Sequence, residues 1–249
     1  MKQPDKYAEL KGVIKAIFEE NKGRYGYRRI TLELHNRGYQ INHKTVLKLM
    51  QECYLKCELR KKKYRSYKGE IGKVAQNELN RNFKAIRPNQ KWVTDVTEFA
   101  VKGQKVYLSP ILDLYNGEII SYNISLHPTF QQILDMLDKA FTRISDTTGI
   151  VLHSDQGWQY QMDLYQKKLK EKGIIQSMSR KGNCLDNAVI ENFFGLLKTE
   201  MFYKKDFDST EQLIQEIEEY IEYYNNQRIK SKLHGLSPIA YRIQSMGAA

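Results

Sequence analysis

Three acidic residues in this 249-residue chain stand where a bare charge needs a reason. Asp95 lies within Trp92-Val-Thr-Asp-Val-Thr-Glu-Phe99, an alternating, β-branched run that reads as one strand. An ionised carboxylate between Val93 and Val96 is costly unless something compensates it. Asp155 follows the apolar strand Ile150–His153 and precedes Gly157, so it falls at a strand's C-terminal end, the edge where open α/β sheets bind ligands. Glu191 comes after a further 35 residues, inside a helix that also carries Val189, Ile190, Phe193, Phe194, Leu196 and Leu197. Carboxylates converging from separate elements suit phosphodiester chemistry. That chemistry needs an activated oxygen nucleophile and neutralised charge at the phosphorus and the leaving oxygen. Two divalent ions about 3.5–4 Å apart supply both. Mg²⁺ takes oxygen ligands and keeps several waters, so it is the expected ion, with Mn²⁺ as a substitute.

Other residues compete for places around such a site. Asn187, Glu191, Gly195 and Lys198 recur at i, i+4, i+8 and i+11, a polar strip on one side of the helix. On this strip Asn187 would orient a substrate and Lys198 would contact a phosphate, although Lys198 is also readable as the solvated partner of a nearby acid. Glu98 is three residues from Asp95 and faces the other side of a strand. Asp113 remains open as a supporting group, and His153 as either a supporting or a structural residue. His35, His43, Cys53 and Cys57 are separated by gaps of seven, nine and three residues, which do not follow a zinc-finger spacing.

The elements that must position these residues fall into two textures. Strands are expected at 105–115 and 118–125, joined by an Asn116-Gly117 hairpin turn, and at 174–178. Helices are expected at about 130–144, 164–172 and 186–201, and a last amphipathic helix is opened by the capping box Ser209-Thr-Glu-Gln212. With the strands at 92–99 and 150–153, the order is β-β-β-α-β-α-β-α, that of ribonuclease-H-like nucleases. Before it, the periodicity predicts three short helices, the last capped by Asn42 and exposing Lys44, Thr45, Lys48 and Gln51, as in a helix-turn-helix. Residues 1–70 carry 18 Lys/Arg against 8 Asp/Glu and the other 179 carry 22 against 21, so almost all of the net charge of +11 sits in the first quarter. A basic module of this kind suits a polyanion. Lys61, Lys62 and Lys63 open a basic, tyrosine-bearing linker suited to tracking a DNA backbone. The expected organisation is a helix-turn-helix domain (1–59), a linker (60–90), an α/β catalytic core (91–205) and a C-terminal helix and tail (206–249). No apolar run approaches the roughly 20 residues of a membrane span. Three cysteines make no disulfide framework, so a cytoplasmic location is expected.

Several segments together resemble a known family. They are Trp92-Val-Thr-Asp95, His153-Ser-Asp155-Gln-Gly-Trp-Gln-Tyr160, and Ser179 through Asn187 and Glu191 to Lys198-Thr-Glu200. Tyr224-Asn-Asn-Gln-Arg228 and Leu236-Ser-Pro-Ile-Ala-Tyr241 add to these. The chain resembles the DDE transposases of bacterial insertion sequences, with a retroviral-integrase-like catalytic core, of the second-frame (OrfB) type. That resemblance implies Asp95, Asp155 and Glu191 as the metal-binding triad and Lys198 as the basic helix position. It also implies cleavage of double-stranded DNA at element ends and strand transfer, an assembly of at least two copies, and the first-frame product of the same element as a partner. The competing reading is a DNA-binding regulator with an inactive nuclease-like core. Joined as well as cleaved products from end DNA and Mg²⁺ would exclude it.

Overall fold

The computed structural model describes residues 5–57, 74–180 and 184–247. Its centre is a mixed sheet. β1 (Lys91–Thr94) pairs antiparallel with β3 (Gln104–Asp113) and parallel with β5 (Val151–Ser154). β5 pairs parallel with β6 (Ile175–Met178), and β3 pairs antiparallel with β4 (Ile119–Ser125). The expected single strand over 92–99 is in fact two, β1 and β2 (Thr97–Val101), separated at Asp95 and Val96. Both keep one register against β3, with Thr94 opposite Ile111 and Thr97 opposite Leu108. Asp95 therefore stands across from Pro110, which has no N–H to give a ladder. The strand opens where the proline interrupts pairing.

Alternation along β1 sends successive side chains to opposite layers. Trp92 packs with Ile133, Met136 and Leu137 of α4 (Phe130–Arg143) and with Leu169 of α5 (Asp163–Glu171). Val93 joins Ile190, Phe193 and Leu197 of α6 (Ala188–Glu200) and Ile217 and Tyr220 of α7 (Thr210–Asn226). The second core continues without a break into Ile14, Ile30, Leu34, Val46 and Leu49 of the N-terminal helices α1 (Ala8–Glu20), α2 (Tyr27–Asn36) and α3 (His43–Glu52).

The N-terminal module is thus docked, not merely tethered. Its seam is polar as well as apolar. Arg228, fully buried, gives Glu200 two hydrogen bonds of 2.8 and 2.5 Å, and Tyr220 gives a third of 2.9 Å. From the N-terminal side, Arg24 donates to the Glu200 carbonyl at 3.2 Å and Arg29 comes within 3.7 Å of its carboxylate. Burial opposes ionisation of Glu200, but Arg228, Arg29 and the Tyr220 hydroxyl outweigh it and hold its pKa below the usual value.

Residues 74–90, placed in the linker by composition, pack on the sheet. Leu79 is buried, and Ser177 on β6 accepts hydrogen bonds from the Glu78 and Leu79 amides at 3.0 and 3.2 Å. Ser209 caps α7 through the Gln212 amide, but the Gln212 side chain reaches back to Asp208, one residue before the capping-box position. The tail adds a further helix, α8 (Pro238–Gly247).

Candidate active site

The parallel pairing of β1 with β5 brings the first two carboxylates together. Trp92 pairs with Leu152 and Val93 with His153, so in the same register Asp95 falls beside Asp155. Both lie just beyond the C-terminal ends of their strands. Asp95 Oδ1 accepts the Val96 amide at 2.7 Å, and Asp155 Oδ1 accepts the Gly157 amide at 2.8 Å. A Cβ on Gly157 would come within 2.9 Å of that same oxygen, so the turn needs glycine for the carboxylate to fold back on it. Burial, then the charge of Asp155 and that of Glu191, push the Asp95 pKa well above its ordinary value. Burial likewise raises Asp155, against the Gly157 amide. Beneath them Tyr160 is fully buried and stays a neutral phenol, raised by burial and by both Asp charges.

Glu191 is exposed on α6, near enough for its charge to be felt at Asp95. Among the described residues no group of three or more His, Cys, Asp or Glu converges tightly enough to hold one ion. The structure assembles the aspartate pair and leaves Glu191 beside it.

Asn187 departs from the helical strip expected of it. A turn of 3₁₀ helix (Cys184–Asn187) precedes α6, and Asn187 is the residue on which α6 starts. Its Nδ2 donates to Asp95 Oδ2 at 3.1 Å. A carboxylate accepts only, so the amide nitrogen must face Asp95. Asn187 Oδ1 is then left buried with no hydrogen-bond partner among the described residues.

The comparisons with known proteins agree on what carries this arrangement. Family models described as integrase core domain match residues 85–184 and 191–246, and one described as HTH-like domain matches residues 5–63. The protein named as transposase InsK of insertion sequence element IS150 of Escherichia coli (strain K12) is 58% identical, over 98% of this chain and 87% of its own length. The chain belongs to the insertion-sequence transposases. It is 38% identical to the transposase of element IS904 of Lactococcus lactis, over 90% of each chain. Among solved structures, the magnesium-bound catalytic core of HTLV-2 integrase shares its fold, with a TM-score of 0.53 at 18% identity, over 64% of this chain and 99% of that one. A simian T-cell lymphotropic virus intasome chain matches with a TM-score of 0.51 at 17% identity, over 88% and 70%. The expected fold, a ribonuclease-H-like integrase core behind a helical N-terminal module, is the one found, and the protein is an enzyme of DNA transposition.

The other residues singled out in this transposase take varied places. Lys198 donates to the Glu98 carbonyl at 2.8 Å and covers the Phe99 ring at 5.0 Å, and burial lowers its pKa. It serves the edge of β2 and forms no contact with the aspartate pair. Glu98 itself is exposed and bridged to Lys105 at 3.1 Å. Asp113 is paired with Trp92, near the start of β1 and away from Asp95. There it accepts the Asn89 and Tyr115 amides and Arg242 of α8 at 3.1 Å, so it clasps the C-terminal helix and is no neighbour of the site. His153 is also structural. Ser177 Oγ already accepts two amides, so its own O–H donates to His153 Nδ1 at 2.8 Å and the ring proton sits on Nε2. Burial holds the His153 pKa down to about 4.

Asp186 was missed by the sequence reading. It is fully buried, accepting from Arg81 at 2.9 Å, Asn77 at 3.0 Å and Arg180 at 3.1 Å. Burial opposes its ionisation, but the hydrogen bonds of Arg180 and Arg81 outweigh this and hold the pKa well below the carboxylate range. This cluster ties residues 77–81 to the turn that carries Asn187. Its one signal in the sequence is adjacency to Asn187 and Glu191. On α3, Asn42 caps the helix through the Lys44 amide at 2.8 Å, Lys44 and Lys48 are exposed, and Thr45 is half-buried. Lys61, Lys62 and Lys63 lie outside the described residues. No described helix is long and apolar enough to cross a membrane.

Proposed function

We propose that this transposase cleaves DNA at the ends of its insertion sequence and transfers the freed 3′-OH to a second phosphodiester, using Asp95, Asp155 and Glu191 to hold divalent metal. The observation that carries the reading is the placement of Asp95 beside Asp155 at the carboxyl edge of the sheet. These residues fit a hard dication. Two part-buried carboxylates repel each other, and no Lys or Arg neutralises either among the described residues. Mg²⁺ or Mn²⁺ there would supply Lewis-acid stabilisation of the phosphoryl oxygens and a nucleophile active at neutral pH. Glu191, flanking the pair on α6, completes the oxygen ligands. Asn187 fixes the rotamer of Asp95 with Nδ2 and offers the unpartnered Oδ1 to a donor in the site, a water or a substrate hydroxyl. The scissile phosphate is oriented by Asn187 and Glu191 at the start of α6.

Lys44, Thr45 and Lys48 of α3 and the basic run with Lys61, Lys62 and Lys63 position the duplex through its phosphates. Two ends must be held together, so at least two copies act on the DNA, and the first-frame product of the element adds sequence discrimination. The domains assigned from the sequence (1–59, 60–90, 91–205 and 206–249) serve these roles, with 74–90 belonging to the core. Action in the cytoplasm, where the bacterial chromosome lies, completes the proposal.

The test is a cleavage and joining assay on labelled end DNA. Asp155→Asn and Glu191→Gln should each abolish both reactions and leave duplex binding within about twofold. Mg²⁺ or Mn²⁺ should be required, with Ca²⁺ supporting binding but little chemistry. Full cleavage in excess chelator, or near-wild-type joining by either variant, would overturn the assignment.

A further inference from the structure

A cavity of about 190 Å³ opens at the same sheet edge as the aspartate pair, on the side of α4. Val96, the residue after Asp95, forms one wall, and Trp158 and Gln159, three and four residues after Asp155, form another. Pro128 and Ile133 close it with apolar surface, and Glu98 stands at its rim. We infer that this cavity receives one unstacked nucleobase, the one adjoining the phosphate held at Asp95 and Asp155. The inference rests on the proposed chemistry at that pair.

Four features single out a base as the occupant. The first is position. Val96 adjoins Asp95 and Trp158 closely follows Asp155, so the mouth lies beside the place where the proposed phosphodiester is seated. The second is the Trp158 ring, which is 55% exposed and braced against Phe130 at 6.5 Å. A large aromatic face held open beside a charged site offers a stacking platform, and every base has a π-face to use it. The third is hydrogen bonding. The Glu98 carboxylate at the rim gives one oxygen to Lys105 at 3.1 Å and keeps acceptor capacity for a ring amino group, and the Gln159 amide both donates and accepts. A neutral ring bearing N–H groups satisfies these walls, whereas a second stretch of backbone does not. The fourth is size. The volume is below the roughly 300 Å³ at which pockets for drug-sized ligands begin, so it suits one ring system.

The chain has only two tryptophans, and Trp92 is fully buried, so Trp158 reports on its own occupancy. The experiment titrates the full chain, in Ca²⁺ to prevent turnover, with a duplex copied from the terminal repeat of the element that encodes it. A series of abasic sites is placed in turn on either side of the scissile phosphate, and a second series in a target duplex. Binding of intact DNA should quench Trp158, and one abasic position should relieve the quench. The series in which it does so identifies end or target DNA as the source of the base. Trp158→Ala should lose about tenfold in affinity for the intact duplex, the order of one base–aromatic stack, and nothing for the relieving abasic duplex. Trp158→Phe should keep most of the affinity, which separates stacking from misfolding. Equal weakening on intact and abasic DNA, or a quench that no abasic position relieves, would overturn the assignment. Asp155→Asn separates this inference from the proposed chemistry. It should stop cleavage in Mg²⁺, whereas the quench is read on wild type in Ca²⁺, where no turnover occurs. Cleavage that survives Asp155→Asn removes the catalytic reading, whereas cleavage lost with no quench in wild type removes the base pocket alone.

Discussion

Adjacent strands of a sheet lie about 5 Å apart, so Asp95 and Asp155, side by side beyond β1 and β5, place two like charges at close range. At an effective dielectric constant of about 20 that repulsion is about 3 kcal/mol, and solvent at the part-buried Asp95 reduces it to roughly 1–2 kcal/mol. Asp95→Asn removes one charge while keeping the shape. The new amide retains an acceptor for the Val96 N–H, and the Asn187 amide has only to turn over for its unpartnered Oδ1 to accept from it. In excess chelator the variant should therefore melt above wild type, by roughly 2–8 °C at the 2–4 °C per kcal/mol expected for a chain of this length. Added Mg²⁺ should reverse the order. An ion bound by the folded state at a hundred times its dissociation constant stabilises by about 2.7 kcal/mol, and the variant forfeits most of that. The pH dependence follows the same logic. The raised pKa values mean that the ion-free folded state holds protons more tightly than the unfolded chain. Wild type should gain stability as pH falls through those values and lose it as pH rises through them, and Asp95→Asn should flatten that slope. Differential scanning calorimetry of both proteins, with chelator and with Mg²⁺, reads all of this. A variant that melts below wild type in chelator, or an equal Mg²⁺ increment in both proteins, would refute the reasoning.

Other consequences can be measured alongside. His153 stays neutral to about pH 4 when folded but titrates near 6.5 when unfolded, so wild type should lose up to about 3 kcal/mol as pH falls across that window. His153→Gln should remove most of this slope in urea melts between pH 7 and 4.5, and an unchanged slope would point to another group. Arg228→Leu leaves the buried Glu200 carboxylate with the Tyr220 hydroxyl at 2.9 Å and Arg29 at 3.7 Å, and should cost about 3 kcal/mol. Combining it with Glu200→Leu should recover much of that, and additive losses would mean that the pair is not the coupled unit described. The isolated chain should bind duplex mainly through phosphates, with a steep salt dependence and weak preference for end DNA. In competition near physiological salt, a preference of about a thousandfold for ends over scrambled DNA would show that it carries full recognition by itself.

Local chemistry made much of this protein legible in its residues alone. Apolar periodicity located the helices of the N-terminal module, and Asn42 marked the start of α3 because its side chain can satisfy an otherwise unpaired amide. Asn116-Gly117 marked the β3–β4 connection, with Gly117 at a φ of +72°. The three carboxylates were conspicuous because each stood in an apolar stretch or directly after one. Pairing is a different matter, because it joins residues far apart in the chain. That Asp95 meets Asp155 depends on the parallel register of β1 on β5, and that the first strand breaks at Asp95 depends on Pro110 arriving opposite. Composition made residues 74–90 look like a tether, because nothing local reveals that Ser177 and Asp186 await their amides and side chains. Asp113 looked available to a metal until Arg242 of α8, distant in sequence, folded back to claim it. Asn187 was read on a helical strip because period alone predicts helix there, whereas the 3₁₀ turn rotates it onto Asp95. The sequence by itself determined which groups carry charge and which segments coil or extend, since those depend on side chains a few residues apart. Only the tertiary structure decided which charges face each other, because burial, neighbouring charge and hydrogen bonding act across space and are set by register and packing.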